Sequence, residues 1–299
     1  MIFKLLAVSF EALTGMPEAV AYIFVFIFGA IVGSFLNVVI HRVPNEESIV
    51  FPNSACPKCK APIKAYDNIP ILSWLILRGK CRGCGMAISA RYPAVELLTA
   101  FLYLLVYWQV GLSPMLPVSL AFVSAMVALI FIDAEHMILP NVITYPLLVI
   151  ALLVRLIFPL VFAENYFSDT AFAPVNYLVG QPPWLVSIFG ALVGALVGGG
   201  SLWFVGAVWK KLRGVDAMGL GDVKMMLGVG ALLGWRLAFL SIFLGAFAGA
   251  LLGIVVIAKQ KDKDLQTQIP FGIFLGTGSI LSLLFGEQLI GWYVRTFVP

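Results

Sequence analysis

Long apolar runs separated by short polar stretches set the pattern of this chain. The first extends over about 18–40, and a polar segment at about 41–92 follows it. Apolar runs resume at 93–110, 114–132, 142–162, 184–209, 223–234, 237–258 and 269–297. About 20 apolar residues in a helix cross a hydrocarbon core about 30 Å thick. The pattern therefore predicts an all-α polytopic membrane protein of about eight transmembrane helices. A small polar domain, 41–92, is inserted between the first helix, 18–40, and a helical domain at 93–297. The run after Val223 is short for a span and is expected to begin earlier or to lie tilted. The stretch 1–17 has a single Lys and no small-residue cleavage site, and it does not read as a removed signal peptide.

Composition sharpens this reading. Of 299 residues, 61% are hydrophobic and 11% charged, against about 45–50% and about 25% in ordinary soluble domains. Such a chain cannot cover itself with polar side chains in water, which excludes a soluble enzyme, a secreted disulfide scaffold and a disordered protein. The placement of charge gives orientation. Fifteen of the 19 basic residues fall on one side if 41–92 is cytosolic, leaving Lys4, Arg155, Arg236 and Arg295. The opposite loop at 163–183 has no Lys or Arg. This asymmetry predicts both termini outside and the polar domain inside. No basic domain interleaved with aromatics is present, so no nucleic-acid partner is expected. Arg155, inside an apolar run, is expected to snorkel to the outer interface. Gly190, Gly194 and Gly198, then Gly245, Gly249 and Gly253, recur at every fourth position, the spacing of close helix packing.

All four cysteines lie in the polar domain, as Cys56-Pro-Lys-Cys59 and Cys81-Arg-Gly-Cys84. Each Cys-x-x-Cys knuckle presents two thiolates from one tight turn, and two knuckles complete a tetrahedron suited to structural zinc. Disulfides do not fit a reducing cytosol, and a redox pair needs one motif rather than two. Zinc also explains how some 50 polar residues hold a shape. Tyr66-Asp67-Asn68-Ile69-Pro70, between the knuckles, reads as a turn or a plain connector.

Carboxylates at a membrane boundary carry the candidate chemistry. Asp133 ends an unbroken apolar run, and Asp222 stands in Gly219-Leu-Gly221-Asp222-Val-Lys224, where another run starts. On the predicted topology both lie at the cytosolic boundary. Two aspartates sharing a water can hydrolyse an amide without a metal, one accepting the water's proton while the other polarises the carbonyl. Gly219 and Gly221 would let substrate backbone come close and the chain turn sharply. The same aspartates also fit helix caps. Glu135, His136 and Asp216 are rivals, His136 as a group that orients Asp133 or binds metal. Only two histidines, His41 and His136, occur. There is no HExxH and no GxSxG, so neither a zinc protease nor a serine hydrolase is supported.

These residues resemble a known family. Gly33-Ser-Phe-Leu-Asn37 through Arg42, the two knuckles, Tyr66–Pro70, Arg91-Tyr-Pro93, Asp133 with His136 and Leu139-Pro140, Gly219-x-Gly221-Asp222-x-Lys224 and Pro270-Phe-Gly272 are similar, in order, to type IV prepilin peptidase. The resemblance implies a bifunctional membrane aspartic protease of the GxGD type in the bacterial inner membrane. Its substrates would be prepilins and the pseudopilins of type II secretion, cut on the cytosolic side after a Gly that ends a short basic leader. It further implies N-methylation of the new amino group with S-adenosylmethionine as donor, with Asp133 and Asp222 as the catalytic pair. An intact cysteine domain goes with the bifunctional type. Departures are Asn141, often Asp in the family, and Ile273, where Pro is frequent.

Two other classes compete. A transporter or channel with a zinc-stabilised cytosolic domain would use the aspartates as an ion relay, which favours the bilayer midplane. A membrane-anchored zinc-ribbon scaffold would leave them silent.

Overall fold

A computed structural model describes residues 9–56, 58–162, 181–215, 218–259 and 270–298. The loop at 163–183 lies mostly outside them, as do Lys261, Lys263 and Asp216. Among the described residues the chain is helical, with two isolated β-bridges and no strand. It divides into two compact units, Leu6–Ala128 and Leu129–Pro299.

The first unit holds α1 (Phe10–Thr14), α2 (Glu18–Arg42), α3 (Leu72–Ile76), α4 (Arg91–Val110) and the first part of α5 (Met115–His136). Helices α2 and α4 pack through Gly29 and Gly33. A Cβ at Gly33 would lie 2.7 Å from the Cα of Glu96, and one at Gly29 2.8 Å from that of Ala100. Without side chains there the backbones meet, which is how helices associate in lipid. Asn37 strengthens the seam, its Nδ2 donating to the carbonyls of Gly33 at 3.3 Å and Tyr92 at 3.0 Å. The opposite face of α2, with Ile23, Phe24, Ile27, Phe28 and Ile31, is exposed.

In the second unit the end of α5 leads to α6 (Asn141–Phe162). Then comes α7, formed by Pro183–Ala195, a π turn at Leu196–Gly200 and Ser201–Arg213. Helices α8 (Leu220–Leu233), α9 (Trp235–Lys259) and α10 (Phe271–Phe297) complete the unit. Seven helices among the described residues are long and apolar enough to cross a membrane. The protein is thus a multi-pass membrane protein. The eighth expected span is α8, whose 14 residues reach only about 21 Å. It is short because Gly234, at φ 82, breaks the helix in a backbone conformation that favours glycine.

Helix α8 is the hub of this unit. A Cβ at Gly194 would stand 2.1 Å from the carbonyl oxygen of Gly230, and one at Gly198 2.3 Å from that of Met226. The glycine stripe of α7 is therefore a packing stripe, and Gly245 similarly meets Phe274 of α10. The expectation for Arg155 is overturned. Instead of snorkelling outward it is 0% exposed, and its Nε donates to the Ala231 carbonyl at 3.0 Å. Because α8 stops short, its last carbonyls lack intrahelical donors, and a guanidinium at a helix C-terminus meets both needs.

Gly194→Ala or Gly230→Ala should each destabilise the protein by about 1–3 kcal/mol through overpacking. Gly200→Ala, whose Cβ meets nothing nearer than 3.6 Å, should be near neutral. Thermal unfolding of the detergent-solubilised protein measures the contrast.

Candidate active site

Asp133 lies in the last turn of α5 and is 5% exposed. A carboxylate this buried needs donors, and α10 provides them. Pro270 is the N-cap of α10, so the N–H groups of its first turn have no helical acceptor. The N–H of Ile273 donates to Asp133 Oδ2 at 3.1 Å, and the backbone of Gly272 lies against the same carboxylate. The glycine is required by closeness: a Cβ there would lie 2.8 Å from Asp133 Oδ2. This gives Pro270-Phe-Gly272 a physical role that the sequence motif alone does not carry.

Asp222 is the third residue of α8 and 8% exposed. Its carboxylate turns back toward the backbone of Gly219, the N-cap residue of its own helix, with Oδ2 3.5 Å from where a Cβ there would stand. Oδ1 is buried and makes no hydrogen bond within the protein. Gly219, at φ −70, is not in a left-handed conformation. A left-handed backbone is therefore not what Gly219 supplies here, and Gly221 acts through space. A Cβ at Gly221 would collide with Leu139 at 2.8 Å. Leu139 also bounds Gly272, its Cδ1 3.1 Å from a Cβ there, so one leucine packs against both the helix that bears Asp222 and the helix that donates to Asp133.

The two aspartates line one cavity of about 280 Å³, with Met137, Ile138, Leu139, Gly219, Gly221 and Lys224. Met137, the residue after α5, has φ 53, in the left-handed region, where a residue with a Cβ is strained. Lys224 is anchored at the wall by Asn141, which accepts its Nζ at 2.9 Å, and by the Tyr145 ring, 5.2 Å away. The residue that departs from the family pattern thus holds this lysine through an amide rather than a carboxylate. His136 is exposed, as is Glu135, and neither lines the cavity. Asp216 falls outside the described residues.

The cysteines form a second constellation. Cys56 Sγ lies 3.7 Å from Cys84 Sγ, Cys59 Sγ 4.0 Å from Cys81 Sγ, and all four fall within 4.8 Å of one another. Tetrahedral zinc with bonds of about 2.3 Å requires sulfurs about 3.8 Å apart, so the four thiols fit one ion, and they are not disulfides. The knuckles are built alike. Cys56 N–H donates to Ala61 O and Lys60 N–H to Cys56 O, while Cys81 N–H donates to Met86 O and Gly85 N–H to Cys81 O. Lys60 and Gly85 hold the matching left-handed positions, at φ 57 and 69. Backbone N–H groups of Cys59 and Lys58 pull the Cys56 thiol down to about 6, toward the thiolate a metal needs. Tyr66–Pro70 is more than a connector. Asp67 accepts Arg82 of the second knuckle at 2.6–3.0 Å, which holds its carboxyl below the usual range. The Ser73 hydroxyl donates to Tyr66 O.

Comparison with known proteins identifies the family. Residues 27–110 match the bacterial peptidase A24 N-terminal domain, and residues 120–254 match the type IV leader peptidase family. The chain is 36% identical to a prepilin leader peptidase/N-methyltransferase of Aeromonas salmonicida, over 92% of this chain and 94% of that one. A protein of the same name from Pseudomonas aeruginosa is 35% identical, over 89% and 91%. One from Myxococcus xanthus is 40% identical, over 82% and 66%. No solved structure matches the chain. The chain belongs to the type IV leader peptidase family.

Proposed function

We propose that this protein is a bifunctional prepilin peptidase. It removes the leader of prepilins and pseudopilins with Asp133 and Asp222, then N-methylates the residue so exposed. The observation that carries the reading is the shared cavity: two buried carboxylates from different helices, each beside a helix N-terminus, open onto one space. Two carboxylates so placed share one proton between them. The ionised member takes a proton from a water whose oxygen attacks the scissile carbonyl. The protonated member gives its proton to the carbonyl oxygen, and a tetrahedral diol forms. As the carbonyl re-forms, the C–N bond breaks and the departing nitrogen takes up a proton.

Location suits the substrate. The aspartates occupy the last turn of α5 and the first turn of α8, where a leader followed by a long apolar helix would present its cleavage point. That edge is read as the cytosolic face of the bacterial inner membrane, from the distribution of Lys and Arg. The same positions count against an ion relay, which favours the midplane. The insert at 41–92 is read as a structural zinc domain, with Cys56, Cys59, Cys81 and Cys84 as ligands that fix its fold. Methylation with S-adenosylmethionine as donor is inferred from the name the relatives share.

Asp133→Asn and Asp222→Asn should each lower leader removal by roughly 10³-fold or more while the protein still accumulates in the membrane. Cleavage of a prepilin in vesicles measures this, and near-normal turnover by either variant would refute the assignment. Gly272→Ala pushes on the Asp133 carboxylate and should reduce kcat by about 10²-fold, the order expected for a small misplacement, with KM little changed. Cys81→Ser should abolish stoichiometric zinc, read by elemental analysis. It should impair methylation more than cleavage, read by mass spectrometry of the product N-terminus.

A further inference from the structure

We propose that α3 and the loop 48–52 insert into the membrane–water boundary of the leaflet on their side, so that the cysteine domain lies against phospholipid. Three exposed apolar residues of α3, Leu72, Leu75 and Ile76, fall at positions i, i+3 and i+4 and share one helix face. Ser73, on the other side of the helix, is buried. In the loop, Ile49, Val50 and Phe51 are consecutive and exposed, Phe51 at 72%, as Ile76 is at 73%. A polar domain that leaves six large apolar side chains uncovered has an unused binding surface.

Depth identifies the occupant. The 20 residues of α4 give about 30 Å of helix, no more than the hydrocarbon thickness, so nearly all of α4 is needed to cross. Glu96 is the sixth residue of that helix, about 7.5 Å along its axis, and 8% exposed. Its Oε2 accepts the N–H of Ile71 at 2.6 Å. Ile71 is the residue preceding α3, and it holds a left-handed backbone at φ 63 that a β-branched side chain resists. The start of α3 is thus tied to a point inside the end of a spanning helix, at some expense in strain. The loop is tied likewise. Arg42, the last residue of α2, donates from Nη1 to Ser48 O at 2.8 Å and from Nη2 to Pro52 O at 2.7 Å, leaving the apolar tip outward. Both apolar elements are therefore continuous with membrane-embedded helices. Arg78 and Lys80, exposed just beyond α3, complement anionic headgroups. Short apolar helices flanked by basic residues bind such an interface.

Benzoylphenylalanine placed at Phe51 or Ile76 in the full-length protein tests this, in vesicles of phosphatidylethanolamine and phosphatidylglycerol. The same label at lipid-facing Phe24 of α2 serves as the positive control. After irradiation, peptides containing position 51 and position 76 should gain the mass of one phospholipid, as the Phe24 peptide does, with zinc content unchanged. If Ile76 cannot be replaced without loss of the protein, Leu75 on the same face carries the label. A lipid adduct at Phe24 with none at 51 and 76, or adducts there to protein alone, would overturn the proposal.

Discussion

A carboxylate at the edge of a bilayer must find hydrogen-bond donors, and the arrangement of the second unit follows from how it supplies them. Asp133 is met by a free N–H of the first turn of α10, and Asp222 lies beside the N-cap of its own helix. Helix N-termini have donors to spare and a favourable dipole, so they can hold an acidic group where water is scarce. Each requirement has a trace in the backbone. Gly272 gives the carboxylate room, Gly221 admits Leu139, and Leu139 in turn packs against both glycines. The short α8 belongs to the same solution. Its first turn bears Asp222, glycines pack its middle against α7, and buried Arg155 receives a carbonyl at its far end.

The two constellations use backbone N–H groups in related ways. In the cysteine domain, a tight turn aims amides at the Cys56 sulfur, and the matched knuckles set four sulfurs at the spacing of one tetrahedral ion. In the membrane, a helix start aims an amide at a carboxylate. A metal suits the first because a small polar insert has little core to bury. The second needs none, because packed helices already hold its groups.

Much of this was legible in the sequence, because bilayer thickness makes apolar runs and helices coincide. The run at 93–110 becomes α4 (Arg91–Val110), and the run at 223–234 is the short α8. Helices extend past their apolar windows where polar residues reach the interface, as α5 does to His136 and α7 to Arg213. The pairing of the knuckles was legible because ligand spacing is local. What lay hidden depends on distant partners. Nothing near Arg155 announces the Ala231 carbonyl 76 residues away, and Pro270-Phe-Gly272 gains its meaning only beside Asp133, 140 residues upstream of Ile273. Gly29 and Gly33 form a pair rather than a longer stripe, and only the contact with Ala100 and Glu96 shows that they mark the seam between α2 and α4.

Since the claim at the centre is that Asp133 and Asp222 act as one unit on one water, the most direct measurement is a double-mutant cycle on prepilin cleavage. Residual kcat/KM would be compared for Asp133→Asn, Asp222→Asn and the doubly substituted protein. Groups that act together fail together, so the double variant should retain the same residual rate as either single one. A double variant slower by the product of the two single losses would mean independent roles, and would contradict the shared-water pair.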